Sequence, residues 1–265
     1  MVVDDGAGLR SQLAAARAAH MSTAIVTGAA KGIGRGIAAA FATAGWSVVL
    51  VDRDAAPLAE TAKGLGANVA TLTGDVAERK TNDAAVRLAT EKFGRIDAVV
   101  GNAGVTLPKL IDETSGDEFD RLFAINVKAL MYLAQAAHRA LAQTRGSLTV
   151  IASKTGLVAQ RNSPIYVATK GAAVQLARAL ALDWATEGIR VNAVCPGIVD
   201  TPMLKEFIDA MPDPAASRRE HEAAQPLGRL ATPAECAAAV LFLSSPAASF
   251  ITGVALPVDG GFTAE

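Results

Sequence analysis

Ala24-Ile25-Val26-Thr27-Gly28-Ala29-Ala30-Lys31-Gly32-Ile33-Gly34 is the stretch that decides the fold: a β-branched run leads straight into three glycines, and a helical pattern follows. Glycines in a strand-to-helix turn let backbone approach a pyrophosphate with no Cβ in the way. The helix N-terminus then offers N–H groups and a favourable dipole to the anion. A tight turn can also need glycines for packing alone, so the loop by itself leaves both readings open.

The next strand bears on that choice. It ends Val49-Leu50-Val51-Asp52, with the acid 18 residues beyond Gly34. A carboxylate there accepts hydrogen bonds from the adenosine ribose hydroxyls and repels a 2′-phosphate, which favours NAD over NADP. Arg53 and Lys31 stand close by. Each is either a solvated surface charge or a partner for a 2′-phosphate, so NADP is the alternative.

Further along, β-branched runs alternate with helical patterns. Strands are expected at Ala24–Thr27, Ser47–Val51, Asn68–Thr73, Ala98–Val100, Ser147–Ile151, Arg190–Val194 and near Val254–Val258. Helices are expected at Ile33–Ala44, Ala77–Phe93, Asp117–Ala142 and Ile165–Glu187. That alternation predicts an α/β fold, a doubly wound parallel sheet of about seven strands with helices on both faces. The 265 residues fit one large domain, 22–265, after an extension over 1–21 expected to be loosely ordered. The rhythm breaks at Asp200–Leu230, where four prolines fall among helical pieces; an insertion at a strand's carboxyl end is well placed to cover a crevice.

Composition narrows the function. A net charge of -1 and no Lys/Arg cluster argue against nucleic acid. Charges interrupt each long apolar run before the ~20 residues a spanning helix needs, so a soluble protein with no membrane partner is expected. Cys195 and Cys236 read as buried free thiols of a cytoplasmic protein, and His20, His138 and His221 lack ligand spacing, so no metal site is expected.

Tyr166-Val167-Ala168-Thr169-Lys170 lies in a helical pattern, which puts Tyr166 and Lys170 one turn apart on one face. A free tyrosine, with a pKa near ~10, exchanges protons poorly at neutral pH. A nearby ammonium and an oxidised nicotinamide would favour the phenolate and equip Tyr166 as a general acid/base.

The pattern from Thr23 to Gly261 resembles the classical short-chain dehydrogenase/reductase family, with its Rossmann-type fold. The matching pieces are Gly28-xxx-Gly32-x-Gly34, Asp75-Val76, Asn102-Ala103-Gly104, Asn126, Ser153 13 residues before Tyr166, Tyr166-xxx-Lys170 and Pro196-Gly197. The resemblance implies an NAD-dependent oxidoreductase acting on a small secondary alcohol or ketone such as a polyol, sugar or hydroxyacyl compound. It implies Tyr166 as acid/base, Lys170 on the nicotinamide ribose, Ser153 on the substrate oxygen, and Asn126 supporting Lys170 through a water. Asp75 and Val76 would meet adenine, Asn102 to Gly104 would line the cleft, and Ile198 and Thr201 would meet the carboxamide. A homotetramer is implied as well.

An NADPH-dependent reductase resembling the 3-oxoacyl reductases is the enzymatic alternative, and a nucleotide-sensing regulator the non-enzymatic one. Two positions depart from the pattern. Gly101 stands where the family usually has Asn, and Lys154 is a large cation directly after Ser153, expected to face solvent unless it meets an anionic substrate. Substrate contacts are expected from Lys154–Ser163, from Val105–Pro108, and from an apolar stripe of Met203, Leu204, Phe207 and Met211.

Overall fold

The computed structural model describes residues 21–264, so the expected N-terminal extension lies, but for Met21, outside the described residues. Seven strands make one parallel sheet: β1 (Thr23–Thr27), β2 (Ser47–Asp52), β3 (Val69–Thr73), β4 (Ala98–Gly101), β5 (Ser147–Ile151), β6 (Arg190–Pro196) and β7 (Ala255–Val258). Their order is β3-β2-β1-β4-β5-β6-β7, and every pairing is parallel. This is the doubly wound arrangement expected from the sequence. The order reverses between β1 and β4, and ligands in such sheets bind at the carboxyl ends beside the reversal.

The helices are α1 (Gly32–Thr43), α2 (Ala55–Lys63), α3 (Arg79–Phe93), α4 (Gly116–Phe123), α5 (Ala129–Thr144), α6 (Pro164–Asp183), α7 (Pro202–Asp209), α8 (Pro214–Ala223) and α9 (Pro233–Ser244). They bury both faces of the sheet. Ile25, Val49 and Val99 join a core with Ala85, Leu133 and Val174 from α3, α5 and α6. Ala24, Val26, Val48 and Leu50 face the other way, onto Ile37 and Phe41 of α1 and Val240 of α9. Burial on both faces explains why the strands read as unbroken apolar runs. Each buried Val, Leu or Ile side chain contributes roughly 1.5–3 kcal/mol.

The helix expected over Asp117–Ala142 is interrupted. Between α4 and α5 the backbone makes a π-helical turn, Ala124–Lys128, in which Ala129 N–H donates to the Ala124 carbonyl. Such turns insert a residue into a helix and often mark functional positions; this one carries Asn126. The helix expected over Ile165–Glu187 ends at Asp183, and a 3₁₀ turn leads to Gly188 at φ 77°.

Gly101 has a packing explanation. A Cβ on it would lie 2.4 Å from Leu130 Cδ2, so Leu130 of α5 fills the space that a side chain at this position would need. Gly34 is more tightly bound: a Cβ there would lie 2.0 Å from the Gly28 carbonyl oxygen and 2.4 Å from Asn102 Nδ2. The oxygen is backbone and cannot swing away. Gly34→Ala should therefore lose at least the ~1–3 kcal/mol typical of overpacking, seen as a lower urea midpoint. An unchanged midpoint would refute this packing.

Candidate active site

A cleft of about 810 Å³ opens along the carboxyl ends of the strands, from the glycine loop to helices α7 and α8. Of the site residues expected from the sequence, all but Asn126 line it. Asn126 lies just behind the wall, 2% exposed.

The floor is a clasp between the ends of β1 and β4. The Thr27 hydroxyl accepts from Asn102 N–H (3.0 Å) and Ala103 N–H (3.1 Å) and donates to the Val100 carbonyl (3.3 Å). Asn102 Nδ2 donates back to the Thr27 (2.9 Å) and Gly28 (3.1 Å) carbonyls. Gly28 sits at φ 63° with Ala103 Cα only 2.8 Å from where a Cβ would be, so a side chain there is barred by conformation and by contact.

The glycine loop fits a dinucleotide. Helix α1 opens on Lys31, whose side chain makes no capping bond, and has no acid in its first turn. Its N–H groups and dipole are left for an anion in the cleft. At the end of β2, Asp52 Oδ2 accepts from Ala30 N–H and Oδ1 from Asp54 N–H, both at 3.0 Å, which fixes the carboxylate beside the loop. Lys31 Nζ lies 3.5 Å and Arg53 Nε 3.9 Å from Asp54, so one exposed acid engages both cations. Nothing in the sequence pattern signalled that role for Asp54.

Across the cleft, Ser153 ends an extended segment and caps the 3₁₀ turn Lys154–Gly156, its Oγ accepting from Thr155 N–H at 3.2 Å. Tyr166 and Lys170 stand on successive turns of α6. Burial pushes the Tyr166 pKa above its usual range, and a hydrogen bond from Ser153 opposes that shift. The Lys170 ammonium, expected to be the counterweight, lies 5.8 Å from the Tyr166 ring centre and donates to the Ile151 carbonyl at 3.0 Å. Burial lowers its pKa to about 8.

Asn126 was expected to support Lys170 through a water. Its side chain is held by protein groups: Oδ1 accepts from Val105 N–H, while Nδ2 donates to the Val105 carbonyl, both at 2.9 Å, and to Thr169 Oγ1 at 3.1 Å. It ties the loop after β4 to α6.

Lys154 does not face solvent as expected. It is 6% exposed, and its Nζ sits 3.2 Å from the centre of the Phe262 ring, which covers the ammonium in place of water. Burial lowers its pKa to about 8, against an opposing pull from Asp259.

The lid over the outer cleft is less apolar than the sequence suggested. Met203, Leu204 and Phe207 line it, but so do Glu206, Glu220 and His221, while Met211 does not. His221 Nδ1 lies 2.7 Å from the Ser217 carbonyl. A carbonyl only accepts, so Nδ1 carries the proton, and in the neutral ring Nε2 keeps a lone pair. Gln225, 1% exposed, was also missed; it brackets Ile198, accepting from its N–H (2.8 Å) and donating to its carbonyl (3.2 Å). No sequence motif distinguishes that glutamine.

Among the described residues no helix is long and apolar enough to cross a membrane. The family model described as enoyl-(acyl carrier protein) reductase matches residues 28–263. The chain is 41% identical over 238 residues to the L-fucose dehydrogenase of Bos taurus, covering 89% of this chain and 87% of that one. It is 39% identical over 244 residues to the galactitol 2-dehydrogenase (L-tagatose-forming) of Cereibacter sphaeroides, covering 91% and 94%. Among solved structures, the 3-ketoacyl-(acyl-carrier-protein) reductase of Brucella melitensis complexed with NADH superposes with a TM-score of 0.85 at 34% identity, covering 92% and 99%. Sequence, fold and cleft thus lead to one conclusion: the chain belongs to the short-chain dehydrogenase/reductase family, oxidoreductases that act on alcohols with a nicotinamide dinucleotide.

Proposed function

We propose that this enzyme is an NAD-linked dehydrogenase that oxidises one secondary hydroxyl of a small polyhydroxylated substrate, a sugar or sugar alcohol. The observation that carries this reading is the convergence of Ser153, Tyr166 and Lys170 on one wall of a cleft whose other end is the uncapped α1 terminus. The outer cleft supports the substrate class: Gln160, Asn162, Glu206, Glu220 and His221 offer donors and acceptors in the number that several hydroxyls require. The relatives named for L-fucose and galactitol fit the same class.

A bound NAD would supply the hydride acceptor; the chain's residues align the alcohol and handle its proton. The glycine loop and α1 hold the pyrophosphate, Asp52 the adenosine ribose, and Asp75 and Val76 the adenine. Asn102 to Gly104 and Pro196 to Thr201 shape the nicotinamide end. Lys170 holds the nicotinamide ribose. Ser153 donates to the substrate oxygen, stabilising charge that develops there. Tyr166 takes the hydroxyl proton as base and returns it as acid in the reverse direction. Asn126 keeps the Val105 loop and α6 in register behind them.

Self-association as a homotetramer is consistent with apolar side chains left exposed on two long helices, Met131 on α5 and Leu182 (80% exposed) on α6. The buried free thiols Cys195 and Cys236 suit a reducing cytoplasm.

Tyr166→Phe should lower kcat for alcohol oxidation by about 10²–10⁴-fold and leave dinucleotide affinity within about twofold. Unchanged turnover would end the mechanism. Burial raises the Tyr166 pKa above its usual range, so the base form is the minor one near neutrality and grows with pH: kcat/KM for oxidation should rise from about pH 7 to 9, while that for ketone reduction, which uses the protonated phenol, should stay level over that range. A flat oxidation profile would contradict this assignment.

NAD should exceed NADP in kcat/KM, because Asp52 repels a 2′-phosphate and Asp54 engages Lys31 and Arg53. Asp52→Asn should weaken NAD by about tenfold, the scale of one hydrogen bond to a charged acceptor. An NADP preference in the parent enzyme would overturn the cofactor assignment.

A further inference from the structure

The turn that carries Ser153 is held from two sides. On one side Gly156 lies against α6, where an added Cβ would come within 2.7 Å of the Lys170 carbonyl oxygen. On the other, the Lys154 ammonium rests on the face of Phe262. Phe262 opens the 3₁₀ turn Phe262–Ala264, just after β7. Buried Asp259 organises that turn: Oδ1 accepts from Gly261 N–H (3.1 Å), and Oδ2 accepts from Thr263 N–H (3.0 Å) and the Thr263 hydroxyl (2.6 Å). A continuous series of contacts therefore runs from the end of β7 through Asp259, Phe262 and Lys154 to Ser153.

The contact is one that depends on charge. An ammonium over an aromatic face is attracted by the ring quadrupole, and the attraction grows as water is excluded. A buried cation without compensation would be costly. Among the described residues no carboxylate lies within ion-pairing distance of Lys154, so the ring face supplies the short-range compensation and Asp259 a longer-range pull. A neutral chain of the same length would fill the space with dispersion alone.

We propose that Lys154 and Phe262 are positioning residues for the reaction: their cation–π contact fixes the Lys154–Gly156 turn and thereby the aim of the Ser153 hydroxyl at the substrate oxygen. The inference rests on the reading of Ser153 as donor to that oxygen. It means that an aromatic residue in the C-terminal turn, absent from the cleft lining, sets the turnover rate.

The test compares Lys154→Met, Lys154→Arg, Phe262→Leu and Phe262→Trp in the full-length enzyme, measuring kcat and KM for alcohol oxidation, dinucleotide affinity and melting temperature. Lys154→Met and Phe262→Leu should each lose about tenfold in kcat, with KM and dinucleotide affinity within about twofold. Lys154→Arg and Phe262→Trp keep a cation or an aromatic face and should stay within about threefold of the parent. If Lys154→Met and Phe262→Leu keep the parental kcat, the contact is packing only and the proposal falls. A raised KM for the alcohol at unchanged kcat in Lys154→Met would make Lys154 a substrate-binding cation and overturn it equally. Should Lys154→Met fail to fold, the Phe262 pair decides alone. Ser153→Ala separates the two levels: parental turnover there defeats the site reading itself. Lost turnover in Ser153→Ala beside normal Lys154 and Phe262 variants defeats only this inference.

Discussion

The hydrogen bonds that Thr27 and Asn102 exchange hold together the point on which the rest of the structure depends. A parallel sheet that reverses its order must leave its two central strands parting at their carboxyl ends, because their connections leave in opposite directions. Here β1 and β4 part, and the parting chains are tied by side chains where ladder bonds stop. The gap is kept at one width. The Asn102 amide occupies the space next to Gly34, and Ala103 the space next to Gly28, so the glycines serve this closure as much as any ligand. The glycine loop is thus shaped by packing alone, and preorganisation of this kind would lower the cost of binding a dinucleotide there.

From that fixed point the site buries two lysines in the wall of the cleft, each only 6% exposed. Burial holds both Lys154 and Lys170 at about 8, well below an ordinary lysine, and each finds a different replacement for its lost hydration. Lys170 has the Ile151 carbonyl, and Lys154 has the face of Phe262. Neither replacement is a carboxylate at ion-pairing distance. A close ion pair would satisfy the ammonium so well that a ribose hydroxyl would compete for it poorly; a single carbonyl leaves donors over. The incomplete compensation costs stability and leaves Lys170 available, the exchange expected where a site is built for binding.

What was legible in the sequence follows from the range of the interactions involved. The strands, the glycine loop, Asp52 and the Tyr166/Lys170 spacing declare themselves within a few residues, and the sheet and cleft confirm where they lie. Features set by distant neighbours did not. The helix that periodicity predicts carries a π-helical turn at Asn126, whose side chain bonds Val105 and Thr169, partners that no local pattern reveals. Lys154 reads as a surface cation until Phe262, far along the chain, is folded over it. Gln225 and His221 sit in polar segments whose composition suits solvent, and only the fold brings Gln225 onto the Ile198 backbone and His221 into the cleft wall.

The division between legible and hidden residues also separates chemistry from specificity. The inner cleft belongs to strand ends locked by backbone geometry, where Gly28, Gly34 and Asn102 leave little room for change. The outer cleft belongs to α7 and α8. Helix α7 buries Ile208 alone, and α8 has no buried residue. The ion pairs along them, Lys205 with Asp209 and Arg218 with Asp200 and Glu222, are exposed, a class worth about 0–1 kcal/mol each. Substitutions at Met203, Glu206 or Glu220 therefore meet little resistance from the core, while those at the clasp meet a great deal. A fold with this gradient can keep one hydride-transfer apparatus and exchange the alcohol it serves, which is why its outer residues, rather than its catalytic ones, carry the information about substrate.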